Sequence, residues 1–226
     1  MDAFYAAVEQ LEHHELRNKP ILIGHPGLRG VVATASYEAR VHGVGSAMPM
    51  ALAKKKCPEA IVVRPRIERY AKYSKKIMQV FRDFSPVVEP LSLDEAFIDL
   101  SGTEHLWGSV EEIGEQLKEA VFKATGGLRV SVGISSTKYV AKVASDHNKP
   151  DGLTIVSPED AKSFLAVLPV SRIWGIGKNL NNFFRKFFRN FFFCNAKYLG
   201  VKILFFVKIS LETILFIALY ELMTPE

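Results

Sequence analysis

The chain has 226 residues, 48% of them hydrophobic and 23% charged, a composition with enough apolar mass for one large or two small folded domains and too hydrophobic for a disordered chain. Its formal net charge of +5 and pI near 9.1 lean toward an anionic partner without selecting one. Two cysteines, Cys57 and Cys194, and no Cys/His cluster at zinc spacing exclude a disulfide framework and a structural zinc. The opening Met1-Asp2-Ala3-Phe4-Tyr5 carries an acid and lacks a basic leader, so a signal peptide is not expected and a reducing, cytoplasmic setting is.

Phe4, Ala7, Val8 and Leu11 fall at helical spacing, which predicts a first helix over residues 4 to 16 ahead of Pro20. Residues 20 to 24 and 31 to 35 have strand composition around a turn-rich His25-Pro26-Gly27 segment and predict a hairpin. Ile67, Tyr70, Ser74, Ile77, Phe81 and Phe84 then mark one face of a basic amphipathic helix. A further helix is expected from Glu111 to Lys123, broken by Gly126-Gly127, with a strand over residues 128 to 134. Together these elements predict an α+β fold. Pro158-Glu159-Asp160-Ala161 has the composition of a capped helix start. Beyond Lys178 the character changes: ten of the 16 phenylalanines lie between Phe183 and Phe216, with neither helical nor strand period. Leu204 to Leu222 is apolar enough to weigh as a membrane span, but Lys208 and Glu212 inside it argue against one. A shifted reading frame after Lys178 accounts simply for the break.

The chemistry concentrates in Ser92-Leu93-Asp94-Glu95-Ala96-Phe97-Ile98-Asp99, two adjacent carboxylates between strand-like runs. Held at the end of a hairpin, such oxygens suit hard cations like Mg²⁺, and a pair of ions about 3.5–4 Å apart binds the attacking and leaving oxygens of phosphoryl transfer. Taken alone, the pair favours a solvated turn, since adjacent acids are common at exposed reversals. Tyr37 and Arg40, three apart, share one helix face if a turn starts there. Gly175-x-Gly177-Lys178 is a weak phosphate-approach motif on its own, and His13 and His14 lack a partner at ligand spacing.

Five segments, MDAFYAAVE (1–9), RGVVATASYEAR (29–40), SLDEAFIDLSG (92–102), VSVGISSTKYVAKVASDHNKPDG (130–152) and WGIGK (174–178), occur in an order and spacing that resemble the Y-family DNA polymerases, most closely their polymerase IV branch. The resemblance covers about the first 178 residues. It implies a polymerase palm of residues 1–3 and 67–156, a mixed sheet with helices on one face. It also implies small α/β fingers of residues 4–66 and a partial helical thumb of residues 157–178, ahead of an aberrant tail of residues 179–226 with no little-finger domain. The implied activity is translesion synthesis: template-directed transfer from a dNTP to a primer 3′-hydroxyl, in damage tolerance and repair.

In that family pattern Asp94 bridges two Mg²⁺ ions and Glu95 holds the catalytic one, while Asp99 is structural. Tyr5 matches the steric gate that excludes a 2′-hydroxyl, and Thr34, Tyr37, Arg40 and Lys149 match groups that grip the triphosphate. Gly175, Gly177 and Lys178 match a helix-hairpin-helix turn on DNA phosphates. Lys54-Lys55-Lys56 and Lys72, Lys75 and Lys76 read as a solvated charged surface. The implied partners are primer-template DNA, dNTP and a sliding clamp, with no certain membrane contact and a monomeric state. The clamp-binding peptide is not legible in this sequence. The family's first strand, ending in a third metal-binding Asp, is also absent ahead of Met1, so reduced activity is the expectation for this chain. Two other readings fit less of the pattern: another palm-fold nucleotidyl enzyme such as a nucleotide cyclase, which would lack TASYEAR and NKPDG, and a non-catalytic DNA-binding remnant.

Overall fold

A computed structural model describes residues 1–27, 29–176 and 179–182. Helix α1 (Phe4–Glu12) follows Ala3, whose φ of 45° turns the chain sharply into the helix. It is shorter than its periodicity suggests: His13 turns extended, and Arg17 donates to the Gln10 and Leu11 carbonyl oxygens, closing the C-terminal end before a 3₁₀ turn at His14–Leu16. The predicted hairpin forms from β1 (Ile21–Gly24) and β2 (Val32–Ala35), antiparallel with Leu22 opposite Ala35. Ser36 caps α2 (Tyr37–Val41) by accepting from the Ala39 N–H. After α3 (Met50–Lys56), β3 (Ile61–Val63) joins β1 in parallel, giving the order β2-β1-β3.

Helix α4 (Ile67–Phe84) spans the predicted amphipathic segment and buries Tyr70, Ser74, Ile77, Phe81 and Phe84, its periodic stripe. The acidic hairpin is β4 (Val88–Pro90) paired antiparallel with β5 (Ala96–Ile98). A short α5 (Glu104–Trp107) precedes α6 (Val110–Thr125), which opens with a reciprocal capping box between Ser109 and Glu112 and stops at Gly126 in the left-handed conformation. The following strand, β6 (Val132–Ser135), begins four residues later than its alternation predicts, because the preceding segment bonds elsewhere: Arg129 O accepts the Asp2 N–H and the Ser131 hydroxyl donates to the Asp2 carboxylate. Helix α7 (Lys138–His147) crosses over to β7 (Leu153–Val156), parallel to β6. Residues 157–160 form a turn in which Ser157 accepts the Asp160 N–H, so α8 (Ala161–Val167) starts only at Ala161.

The described residues are thus mixed α+β, with three small sheets. One core gathers Phe4 and Val8 of α1, the buried stripe of α4 and Ile113, Leu117 and Val121 of α6. A second lies between the β2-β1-β3 sheet and α2 and α3, around Leu22, Val32 and Met50. Helix α1 joins them, because its other face sends Ala6 against Ile21 and Ile23 of β1. That double packing fixes Tyr5 at the seam. No helix among the described residues is long and apolar enough to cross a membrane. Leu204–Leu222, the Phe-rich tail and the reading-frame question lie outside the described residues.

Candidate active site

The turn between β4 and β5 is closed by Leu91 and Ser92 N–H groups donating to the Glu95 carbonyl oxygen at 2.8 and 3.2 Å. Asp94 and Glu95 therefore sit at the tip of a pinned hairpin. The Ser92 hydroxyl lies 3.0 Å from Asp94 Oδ1, and the Met1 nitrogen donates to the Asp94 carbonyl oxygen at 2.9 Å. Both carboxylates keep solvent access, with side chains 26% and 35% exposed. Asp99, at the far end of β5, accepts the Ser101 N–H at 3.0 Å.

Helix α7 supplies groups that the sequence reading passed over. Lys142 Nζ lies 2.7 Å from Glu95 Oε1 and 3.5 Å from Asp146 Oδ2, and Lys149 Nζ lies 2.6 Å from Asp146 Oδ1. Charge alternates Glu95, Lys142, Asp146, Lys149 along this line. Burial raises the Asp146 carboxyl, but the two ammonium groups outweigh it and hold that carboxyl below the ordinary range. The spacing of Lys142 and Asp146, four apart on a helix, was the signal available for them.

Beside the hairpin, a cleft of about 250 Å³ is lined by Tyr5, Thr34, Tyr37, Arg40, Asp94 and Lys149 together with Met1, Ala3 and Phe4. All five expected substrate contacts and one of the two expected metal ligands open onto one space. Glu95 lines an adjoining larger cavity of about 610 Å³, whose wall shares Met1, Asp94 and Lys149 with the cleft. In the cleft, the Arg40 guanidinium lies 4.7 Å over the Tyr37 ring and is steadied by the Ala35 carbonyl oxygen accepting from Nε at 3.0 Å. The Tyr37 hydroxyl is buried with no hydrogen-bond partner among the described residues, and burial raises its pKa. A buried hydroxyl left without a partner, beside a guanidinium and an ammonium, fits an anionic oxygen-rich ligand. The Asp94–Glu95 pair offers hard oxygen donors, which fit a cation such as Mg²⁺.

Gly175 is not among these cleft residues; it is exposed, in the left-handed conformation at φ 88°, next to Trp174, whose ring meets Phe97 edge-on at 6.3 Å. Gly177 and Lys178 lie outside the described residues. A separate cluster, His42, Cys57 and Glu59, has donor atoms within 4.8 Å of one another. Its members bond one another, with the thiol 3.2 Å and the imidazole 3.3 Å from Glu59 Oε1, and none lines the cleft.

Residues 1–146 match the model of the impB/mucB/samB family. The chain is 47% identical over 183 residues to DNA polymerase IV of Clostridium perfringens, covering 80% of this chain and 51% of that protein. It is 48% identical over 179 residues to DNA polymerase IV of Alkalilimnicola ehrlichii, covering 79% and 50%. The chain thus spans about half the length of the curated relatives it matches. Among solved structures, DinB from Sulfolobus solfataricus superposes with a TM-score of 0.76 at 30% identity, over 94% of this chain and 65% of that one. An insertion ternary complex of Dbh DNA polymerase gives 0.74 at 30% identity, over 93% and 65%. With two-thirds of its length under the family model and the motif order intact, the chain belongs to the impB/mucB/samB family, the Y-family polymerase lineage.

Proposed function

We propose that this chain carries the nucleotide-binding and catalytic part of a translesion DNA polymerase, a DNA-directed nucleotidyl transferase serving DNA damage tolerance and repair. The convergence of Tyr5, Thr34, Tyr37, Arg40, Lys149 and Asp94 on one cleft carries this reading. Three groups of different chemistry on that cleft support a triphosphate as its ligand: a forked guanidinium, a point ammonium and an unpartnered phenol.

Two Mg²⁺ ions held by Asp94 and Glu95 would supply charge neutralisation at the α-phosphate and a more acidic primer 3′-hydroxyl. The chain's own residues orient the incoming dNTP. Arg40 and Lys149 bind the outer phosphates, the Tyr37 hydroxyl donates to one of their oxygens, and Thr34 adds a hydroxyl contact. Tyr5, which lines the same cleft, would bear on the sugar and select against a 2′-hydroxyl. In this reading residues 1–3 and 67–156 are palm, 4–66 fingers and 157–178 the start of a thumb that meets primer-template DNA through Gly175, Gly177 and Lys178. The separate cores around α4 and around the β2-β1-β3 sheet support the division, with α1 as the seam. Work as a monomer in the cytoplasm, in company with a sliding clamp, belongs to the same proposal.

The test is equilibrium binding of a base-labelled dNTP to the purified full chain with and without Mg²⁺, followed by single-nucleotide addition to a primer-template. Mg²⁺-dependent binding, and template-directed addition lost in Asp94→Asn, are expected. Absence of Mg²⁺-dependent nucleotide binding overturns the assignment.

A further inference from the structure

Asp2 is 5% exposed and sits in the chain between two cleft residues, Met1 and Ala3. A buried carboxylate persists only if donors satisfy it. Here the Ser131 hydroxyl lies 2.9 and 2.8 Å from its two oxygens, and the Asp151 N–H donates to Oδ2 at 2.8 Å. The Ser131 oxygen also accepts the Gly152 N–H at 3.2 Å, so one hydroxyl links the carboxylate to the next residue of the same turn. Asp2 is thereby bonded twice, directly and through Ser131, to the backbone of residues 151 and 152.

That turn carries Lys149 into the cleft. Its path leaves little freedom: Asp151 has a φ of 53°, and a Cβ on Gly152 would lie 2.2 Å from the Asn148 carbonyl oxygen. From the outer side, Lys118 donates to the Asp151 carbonyl oxygen at 2.9 Å, and an Arg129 nitrogen lies 3.1 Å from the Asp151 carboxylate. On the inner side the Val132 N–H donates to the Gly152 carbonyl oxygen at 2.9 Å, and Asp2, directly and through Ser131, supplies the carboxylate fastening; Asp2 stands two residues before the first turn of α1, which bears Tyr5.

We infer that Asp2 is a positioning residue for nucleotide binding: its buried carboxylate fastens the 149–152 turn and so holds Lys149 against the phosphates. This rests on the reading of the cleft as a dNTP site. Asp2 touches no phosphate and no metal in this role, since its oxygens are taken by Ser131 and Asp151. What it needs is acceptor oxygen, not charge. Asp2→Asn keeps an oxygen for the Asp151 N–H and turns its amide toward a hydroxyl able to accept, whereas Asp2→Ala leaves that N–H without a partner.

The experiment is binding of a base-labelled dNTP with Mg²⁺ to the full chain, measured for Asp2→Ala, Asp2→Asn, Lys149→Met, Arg40→Ala and the double variant Asp2→Ala/Lys149→Met, with thermal melts alongside. Asp2→Ala is expected to weaken binding about tenfold and Asp2→Asn by less than about threefold. In the Lys149→Met background Asp2→Ala should add almost nothing, because the group it positions is gone. If Asp2→Ala does not fold, Ser131→Ala removes the bridging hydroxyl and takes its place in the same cycle. Weak binding in Lys149→Met with none lost in the Asp2 or Ser131 variants, an additive double variant, or an Asn variant as poor as Ala each overturns the inference while leaving the cleft standing. Unchanged binding in both Lys149→Met and Arg40→Ala overturns the cleft assignment and the inference with it.

Discussion

The Tyr5 ring lies stacked on the Tyr70 ring, with centroids 4.3 Å apart and planes 13° apart. Tyr70 is itself fully buried, and its hydroxyl donates to Glu9 Oε1 at 2.7 Å. The residue proposed as the sugar gate is thus backed by a fully buried ring. Tyr5→Ala removes the flat surface and is expected to admit ribonucleotides in any active preparation, with unchanged sugar discrimination counting against the gate role. Tyr70→Phe keeps the stack and loses only a hydrogen bond to the buried Glu9 carboxylate, so it should cost about 1.5–3 kcal/mol of stability and leave sugar selection alone.

Behind Tyr70, Glu9 is 1% exposed and is held by Arg66 through two contacts, Nε to Oε1 at 3.0 Å and Nη2 to Oε2 at 2.6 Å. Arg66 also reaches Glu12 at 2.9 Å. Removing the guanidinium leaves a buried carboxylate with the Tyr70 hydroxyl as its remaining hydrogen-bond donor and the His13 imidazole 3.9 Å away, and Arg66→Ala should cost about 3 kcal/mol, the low end for such a pair because Arg66 itself is 39% exposed. Arg66→Lys should recover little, since one ammonium cannot meet both oxygens in that geometry. Urea unfolding of the three proteins decides it; a fully stable lysine variant would mean that charge and not the fork matters.

Acid should loosen the same seam. Burial raises the Glu12 carboxyl, but hydrogen bonds from Arg69 and Tyr73 and the guanidinium charges outweigh it and hold the group below its ordinary 4.5. A carboxyl depressed in the folded state binds protons more readily when unfolded, so its contribution is complete above 4.5 and drains as pH falls through the folded value. Asp146 behaves in the same sense from its ordinary 3.8. Glu12→Gln should therefore melt earlier than the parent at neutral pH, and the gap should narrow as pH falls below the ordinary 4.5 and through the folded value. A constant gap across that range would assign the difference to packing.

Arg40 and Tyr37 form the other pair with a direct consequence for binding. Because the guanidinium is already held over the ring and tied to the Ala35 carbonyl, the proposed phosphate contact would cost it little entropy. Arg40→Ala should weaken dNTP binding by about 10- to 100-fold, the range of a hydrogen bond to a charged group. Tyr37→Phe should cost less, because it removes one hydroxyl and no charge. Equal binding by the parent and Arg40→Ala would take Arg40 out of this role.

Much of this fold could be read from residue patterns, and the failures share a cause. The stripe from Ile67 to Phe84 gave α4 its bounds, and the helical pattern from Glu111 to Lys123 placed α6 to within two residues at either end, since both signals are local. The end of α1, the start of β6 and the parallel β6–β7 pair depended on partners far along the chain: Arg17 on α1, Asp2 on the segment before β6, Val132 opposite Leu153. For the site, spacing could pair Tyr37 with Arg40, and the apolar runs around Asp94 and Glu95 could place them on a hairpin, while the convergence of Tyr37, Arg40 and Asp94 on one cleft needed the fold. Lys142 and the anchoring contacts of Asp2 were not, because a lysine on a helix face and an acid near a strand have many ordinary uses, and only tertiary contact separates these from the rest.

Lys142 yields a prediction of opposite sign to those above. Its ammonium lies 2.7 Å from Glu95 Oε1 with the side chain 12% exposed, so it neutralises one of the two oxygens-bearing groups that a divalent ion would need. A cation this close opposes a second cation, and in a partly exposed setting the repulsion amounts to about 1–2 kcal/mol after screening. Lys142→Met keeps the stem and removes the charge. It should bind Mn²⁺ or Tb³⁺ about tenfold more tightly than the parent, read by sensitised Tb³⁺ emission or Mn²⁺ paramagnetic resonance, and Glu95→Gln should erase the gain. Tighter binding in Lys142→Met that survives Glu95→Gln would place the ion elsewhere. Weaker binding in Lys142→Met would mean that the lysine orients the carboxylate and does not compete for it.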